Sequence, residues 1–220
     1  MPPGAAHTYG LDGEDRVMFQ LLGAEDRSRQ PGFYVDVGAH HPWLYSNTYV
    51  FYCRGWRGIN IDPMPASMEP FRELRPRDIN LEIAIGEKRE HLSYYEFEEP
   101  AFNGFMEKNA IDVQKEGLSK LVKTHSIETL PLAEVLDRHA PPGQTIDFMS
   151  VDVEGFDEVV LRSNDWDRFR PGHLIVEILD FGNWKHAQNL DIVRYLDECG
   201  YELCARTGRS VIFKDTRRRV

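Results

Sequence analysis

At 220 residues, 41% hydrophobic and 28% charged, the chain is long enough to bury one sizeable core and ordinary enough in charge content for a globular domain. A formal net charge of -10 excludes a nucleic acid backbone as partner, because phosphate contacts need clustered Lys and Arg. Three irregularly spaced cysteines, Cys53, Cys199 and Cys204, indicate neither a disulfide framework nor a zinc site, and no apolar stretch reaches the length of a membrane span.

Apolar residues at helical spacing with acids in the first turn predict a helix over Glu14 to Leu22, ahead of the first strand. Phe33 to Val37 reads as that strand, Asn47 to Arg54 as a helix, Gly58 to Ile61 as the second strand and Ala66 to Leu74 as a helix. A third strand is expected over Ile79 to Ile85, continuing through His91 to Phe97 as an extended, antiparallel element. Glu98 to Ser119 is charged, rich in Gly and Asn and weakly periodic, the least structured stretch by composition. A helix follows at Leu132 to His139, then a fourth strand at Ile146 to Val151, a helix start at Glu158 to Arg162 and a fifth strand at His173 to Ile178. Leu190 to Cys199 reads as an amphipathic helix, with Tyr201 to Ala205 and Ser210 to Lys214 as closing strands. Alternating strands and helices are the pattern of a mostly parallel sheet covered on both faces. The expected organisation is a helical lead-in over 1–30 and a single domain over 31–220. The tail Arg217-Arg218-Arg219 reads as a frayed, solvated end, and residues Met1 to Thr8 lack the charged start and apolar core of a signal peptide, so a cytoplasmic protein is expected.

The chemistry concentrates between Phe33 and Pro65. The first run contains Asp36 and gives way to Gly38, and the second ends in Asp62 some 26 residues after Asp36, where βαβ nucleotide folds place the acid that binds ribose hydroxyls. A dinucleotide site wants three glycines; Gly38-Ala39-His40-His41-Pro42 has one, preceded by a carboxylate that would repel phosphate. Asp36 suits instead the ammonium of the methionyl part of S-adenosylmethionine, with Asp62 on the ribose. Gly38 and His40 then surround the methionyl moiety, Asn47 and the helix it caps hold the cofactor carboxylate, and Glu82 or Ile83, near the end of the third strand, lies close to the adenine.

Over VDVGAHHP (35 to 42), SNTYVFY (46 to 52), GWRGINIDPMP (55 to 65), DINLEIAIGE (78 to 87), IDFMSVDVEGFD (146 to 157) and RPGHLIVEI (170 to 178) the chain resembles the FkbM family of S-adenosylmethionine-dependent methyltransferases. The resemblance implies a Rossmann-like class I methyltransferase fold with a central, mostly parallel seven-stranded sheet, S-adenosylmethionine as cofactor and an oxygen acceptor on a sugar, glycolipid or secondary-metabolite precursor. It also implies that the DVEG segment faces the transferred methyl, which singles out Asp152. Gly13-Glu14-Asp15 matches the family's GED-like element, but the usual preceding glutamine is missing.

Methyl transfer to oxygen needs alignment and removal of the acceptor proton, so carboxylates and imidazoles near the strand ends are the candidates: Asp152, Glu154 and His41 first, with Glu177, Asp180 and His186 beyond. Glu177 interrupts an apolar strand, where a carboxylate without a partner is costly. Asp152, Glu177 and Asp180 also offer the oxygen ligands that suit Mg2+. Phe102 and Phe105 belong to the stretch where acceptors are recognised in the family. Two other readings stand beside the enzyme: an inactive Rossmann-like binding module, and a nicotinamide-dependent oxidoreductase, which the single-glycine loop and the absence of a Tyr-x-x-x-Lys pair disfavour.

Overall fold

In a computed structural model, residues 7–26 and 28–217 are described; the first six residues and the Arg218-Arg219 part of the basic tail lie outside them. The chain runs α1 (Glu14–Leu21), β1 (Phe33–Val37), α2 (Tyr49–Tyr52), β2 (Arg57–Ile61), α3 (Met68–Leu74), β3 (Ile79–Leu81), β4 (Ala84–Ile85) and β5 (Glu90–Phe97). It continues through a 3-10 turn (Pro100–Phe102), α4 (Glu107–Lys115), β6 (Leu121–Leu130), α5 (Leu132–His139), β7 (Phe148–Val151), α6 (Asp157–Arg162), β8 (His173–Glu177), α7 (Trp184–Ala187), α8 (Asp191–Glu198), β9 (Tyr201–Arg206) and β10 (Ser210–Asp215). Seven strands form one sheet in the order β3-β2-β1-β7-β8-β10-β9, in which β10 runs against both neighbours and the remaining pairs are parallel. The mostly parallel sheet read from the sequence is therefore present, with seven strands.

Both faces are buried, as the near-continuous apolar runs of β1, β7 and β8 require. Val35, Val37, Ile59, Ile61, Met149 and Val176 pack with Leu136, Val160 and Leu196 of α5, α6 and α8. Tyr34, Phe148 and Ile175 point the other way, onto Met18 and Phe19 of α1 and Phe51 of α2. The lead-in helix is thus part of the core of that face, with Met18 fully buried.

One lane on the α1/α2 face is polar. Asn80, Asn60, Asp36 and Ser150 stand opposite one another across β3, β2, β1 and β7. Arg75, just after α3, closes over this lane with no exposed surface. Its Nε donates to Asp78 Oδ2 (2.8 Å), one terminal nitrogen to Pro42 O (3.3 Å) and Ser46 Oγ (3.4 Å), and the other to Tyr34 Oη (2.7 Å) and Thr48 Oγ1 (3.0 Å). Thr48 Oγ1 in turn donates to Asp36 Oδ2 (2.6 Å), while Asp78 Oδ2 also accepts from Tyr34 Oη (2.7 Å) and Asn60 Nδ2 (3.0 Å).

The structure departs from the sequence reading where local pattern and tertiary pairing disagree. The expected third strand is two: Ile79–Leu81 extends the main sheet, whereas Ala84–Ile85 joins a second sheet of order β4-β6-β5. β6 was not foreseen, because its run LVKTHSIETL mixes Lys, His and Glu among few apolar residues and is held chiefly by its antiparallel ladder with β5. The stretch expected to be unstructured contains the 3-10 turn and α4, which buries only Ala110 and Val113 and so shows little periodicity. The aromatic loop after β8 holds the single helical turn α7. The helix expected over Asn47 to Arg54 is only the four residues of α2.

Arg75 and Asp78 make a salt bridge with neither side chain exposed. Replacing one partner strands the other charge in the core, so Arg75→Met is expected to lower unfolding free energy by about 3–5 kcal/mol. Urea denaturation checks this; a loss under 1 kcal/mol would contradict the role given to the pair.

Candidate active site

The carboxyl ends of β1, β2 and β7 are stitched together by main chain. Gly38 N donates to Ile61 O (2.9 Å) and Asp152 N to Val37 O (3.0 Å). Gly38 has φ +80°, and a Cβ there would stand 1.8 Å from the carbonyl oxygen of Asp152, so only glycine fits. Asp62, 7% exposed, accepts from the backbone N–H of His40 (3.1 Å) and Met64 (3.0 Å), which sets the two loops around the ends of β1 and β2. Burial raises its carboxyl above the usual range.

Asp36 is buried on the polar lane beneath the loop, its Oδ2 held by Thr48; burial raises its pKa, with Thr48 and Arg75 opposing. His40 takes φ +52° and its ring stacks on Tyr45 (6.4 Å). His41 Nδ1 accepts from the N–H groups of Trp43 (3.3 Å) and Leu44 (3.1 Å), so the imidazole is used on its own loop, and burial followed by His40 pulls its pKa down. Asn47 Nδ2 donates to Ser150 Oγ (3.2 Å). The helix Asn47 was expected to cap begins later, and the N–H groups of Thr48 and Tyr49 are already met by Ser46 Oγ (3.3 and 3.1 Å). Glu82 is exposed and accepts from Ala66 N (3.0 Å), while its neighbour Ile83 faces the cleft.

Beyond β7 the DVEG turn is sharply bent. Glu154 has φ +53° and Gly155 φ +89°. Asp157, at the start of α6, ties the turn by accepting from Val153 N (3.3 Å) and Gly155 N (3.1 Å), and Asn109 Nδ2 of α4 donates to Glu154 O (3.0 Å). This geometry brings Asp152, Glu154 and Glu177 together, with one oxygen from each within 4.8 Å of the others. Asp180, expected in that set, is absent from it: it follows β8 with its side chain 88% exposed and stands 3.7 Å from His186. Glu154 takes its place. Three carboxylates so disposed have the donor chemistry of an oxygen-ligated cation such as Mg2+, which completes its six ligands with water.

Burial pushes Asp152, Glu154, Asp157 and Glu177 each up to about 8, with neighbouring carboxylates adding to it in every case. Arg209, in the turn between β9 and β10, opposes the shift at Asp152, Glu154 and Glu177. Asp157 and Arg209 were not among the sequence candidates. Glu14, 3% exposed, accepts from Asp12 N (2.9 Å), Thr207 Oγ1 and Ser210 Oγ (3.3 Å each), and so pins α1 to the same turn.

Two cavities open on this edge. One is an apolar slot of about 20 Å³ between Val37, Ile61, Ile83, Ile85, Val153 and Phe156. Phe105 lines it while packing between Tyr94 (4.9 Å) and Phe156 (5.6 Å). The other is a cleft of about 250 Å³ running from Glu154 and Arg209 between Tyr95 and Phe102 on one side and Leu179 on the other.

A doubly wound sheet with one reversed strand beside its final edge strand, and with acids at the ends of β1, β2 and β7, is the class I methyltransferase arrangement. The Methyltransferase FkbM domain matches residues 36–203, and the chain belongs to that family. It is similar to a precorrin-6y C5,15-methyltransferase from Geobacter metallireducens GS-15, at 11% identity over 94% of this chain and 89% of that one, with a TM-score of 0.44. It is also similar to an O-methyltransferase from Bacillus cereus in complex with SAH, at 10% identity over 92% and 90% of the two chains, with a TM-score of 0.36. No curated protein matches. Among the described residues no helix is long and apolar enough to cross a membrane.

Carboxylates that titrate near 8 when folded and near 4 when unfolded bind more protons in the native state between those values, so stability falls as pH rises from about 4 through about 8. The melting temperature of the ligand-free protein should drop between pH 6 and pH 9, and Glu177→Gln should flatten that drop and melt higher than wild type at pH 9. Thermal denaturation across the range reads both; a melting temperature that climbs with pH would refute the clustering.

Proposed function

We propose that this protein transfers a methyl group from S-adenosylmethionine to a hydroxyl oxygen, on a sugar, glycolipid or secondary-metabolite acceptor. The carrying observation is the edge where Asp62, the Gly38 loop and the Asp152–Glu154–Glu177 trio meet, in a chain of the FkbM methyltransferase family. The residues fit such a cofactor. The apolar slot beside Asp62 has the walls of a purine site, and Asp62 keeps acceptor capacity beyond its two backbone hydrogen bonds for ribose hydroxyls. The slot as it stands has little more room than one water needs, so Phe105 must swing out as a base enters. Asp36, Gly38, His40 and Asn47 line the methionyl end, with Glu82 bracing the β2–α3 loop.

S-adenosylmethionine supplies an electrophilic methyl on a sulfonium. The chain aligns the acceptor oxygen and takes its proton. Of the sequence candidates for that proton, Asp152 and Glu154 stand in the trio, whereas His41 is committed to its loop. A carboxylate raised towards neutrality has higher proton affinity than an ordinary one, which favours general-base catalysis near pH 8. The family supports a small-molecule acceptor.

Isothermal titration of S-adenosylmethionine and S-adenosylhomocysteine into wild type and Asp62→Ala tests the cofactor. Wild type should bind both, and the variant should lose about tenfold to a hundredfold, the value of one or two charge-assisted hydrogen bonds. Equal binding, or none in either protein, would remove the proposal.

A further inference from the structure

The cleft between the β5–α4–β6 insert and the DVEG turn is lined by residues other than those assigned above to the cofactor. Its walls come from every element that borders an acceptor position at this sheet edge: Tyr95 and Phe102 from the insert, Glu154 after β7, Leu179 after β8 and Arg209 between β9 and β10. Arg209 has a fixed backbone, with its N–H donating to Asp12 Oδ2 (3.1 Å) and its carbonyl accepting from Ile178 N (2.9 Å). Its guanidinium, in contrast, makes neither a salt bridge nor a side-chain hydrogen bond among the described residues, although Asp152, Glu154 and Glu177 all feel its charge. The neighbouring Arg206 does the reverse, satisfied on Gly182 O (3.1 Å) and Gly208 O (3.4 Å). An exposed cation on a fixed backbone, with an uncommitted planar fork at the end of a cleft with aromatic walls, is suited to an oxyanion on a ligand. Asp112 and Glu116 also line the cleft and, like Arg209, are exposed; Arg209 is the one cation among the cleft's lining residues.

We propose that this cleft is the acceptor site and that Arg209 selects an acceptor carrying an anionic group, a carboxylate or a phosphate, beside the hydroxyl that Glu154 faces. The ring of the acceptor lies between Tyr95, Phe102 and Leu179. This rests on the methyltransferase reading for its chemistry, but the pocket and its preference can be read by binding alone.

The test uses D-glucose, D-glucuronate and D-glucose 6-phosphate as probes, followed by ligand-observed NMR at millimolar concentration on the full chain saturated with S-adenosylhomocysteine. Wild type should bind one or both anionic probes roughly tenfold more tightly than glucose, and which of the two separates a carboxylate from a phosphate. Arg209→Gln should erase the preference, Arg209→Lys should keep part of it, and both variants should keep the wild-type circular dichroism spectrum and S-adenosylhomocysteine affinity. No anionic preference in wild type, no binding of either anion, or a preference that survives in Arg209→Gln would each overturn the proposal. Should S-adenosylhomocysteine itself fail to bind, the cofactor reading falls, while the probe preference, measured without it, still decides the role of Arg209.

Discussion

A fully buried guanidinium holds the segment between β1 and α2 in place. Taking Arg75 out of water is expensive, and its attraction to Asp78 offsets that only because every face of the fork also meets an oxygen: Pro42 O, Ser46 Oγ, Tyr34 Oη and Thr48 Oγ1. Three of these partners belong to the segment between β1 and α2. One cation thus fixes a stretch that has almost no helix of its own, and through Thr48 it orients Asp36 at the end of β1. Asn60 and Asp78 carry the same hold across β2. The polar lane under the loop is satisfied by the loop it supports, which gives that stretch a single arrangement where an apolar lane would accept several.

The second constraint is crowding of negative charge at the edge of β7. Glu154 and Gly155 adopt left-handed backbone, and Asp157 and Asn109 hold that turn from either side. The result presents Asp152 and Glu154 to the cleft next to Glu177. Such a group is unfavourable in isolation, since burial and mutual repulsion both disfavour its charged form. It persists because the turn and β8 are fixed by main-chain hydrogen bonds formed for other reasons. A site that concentrates buried carboxylates attracts cations and protons.

Much of this could be read from the residues. Buried parallel strands announce themselves as apolar runs, so β1, β2, β7 and β8 were visible, and Asp36, Asp62, Asp152 and Glu177 stood out as acids in or just after such runs. The same runs carried a quieter signal. Asn60 between Ile59 and Ile61, and Ser150 between Met149 and Val151, occupy the position that Asp36 holds between two valines, and strand register places all three in one lane. Arg75 was hidden because nothing local distinguishes a buried arginine after a helix from an exposed one. Asp180 was misplaced for a related reason: proximity in sequence to a strand end does not say which way the chain turns, and after Ile178 it turns into solvent. β6 and α4 were missed because their order comes from pairing with β5 and from contacts with the DVEG turn, not from an apolar face of their own.

The insert does more than cover the sheet. From β5 and the 3-10 turn, Tyr94 and Asn103 reach the loop after β2, with Asn103 Nδ2 3.9 Å from Met64 Sδ and the Tyr94 hydroxyl close enough to Asp62 for the carboxylate to raise its pKa. From α4, Asn109 holds the carbonyl of Glu154. Between these, Phe105 lines the slot beside Asp62, and Phe102 lines the cleft beside Arg209. Phe105 is three residues from Phe102, and between them Gly104 pairs with Tyr95 of β5, its carbonyl accepting from Tyr95 N (2.9 Å) and its N–H donating to Tyr95 O (3.2 Å). Slot and cleft therefore share a wall anchored on β5, and the β5–β6 ladder is the base that carries both rings.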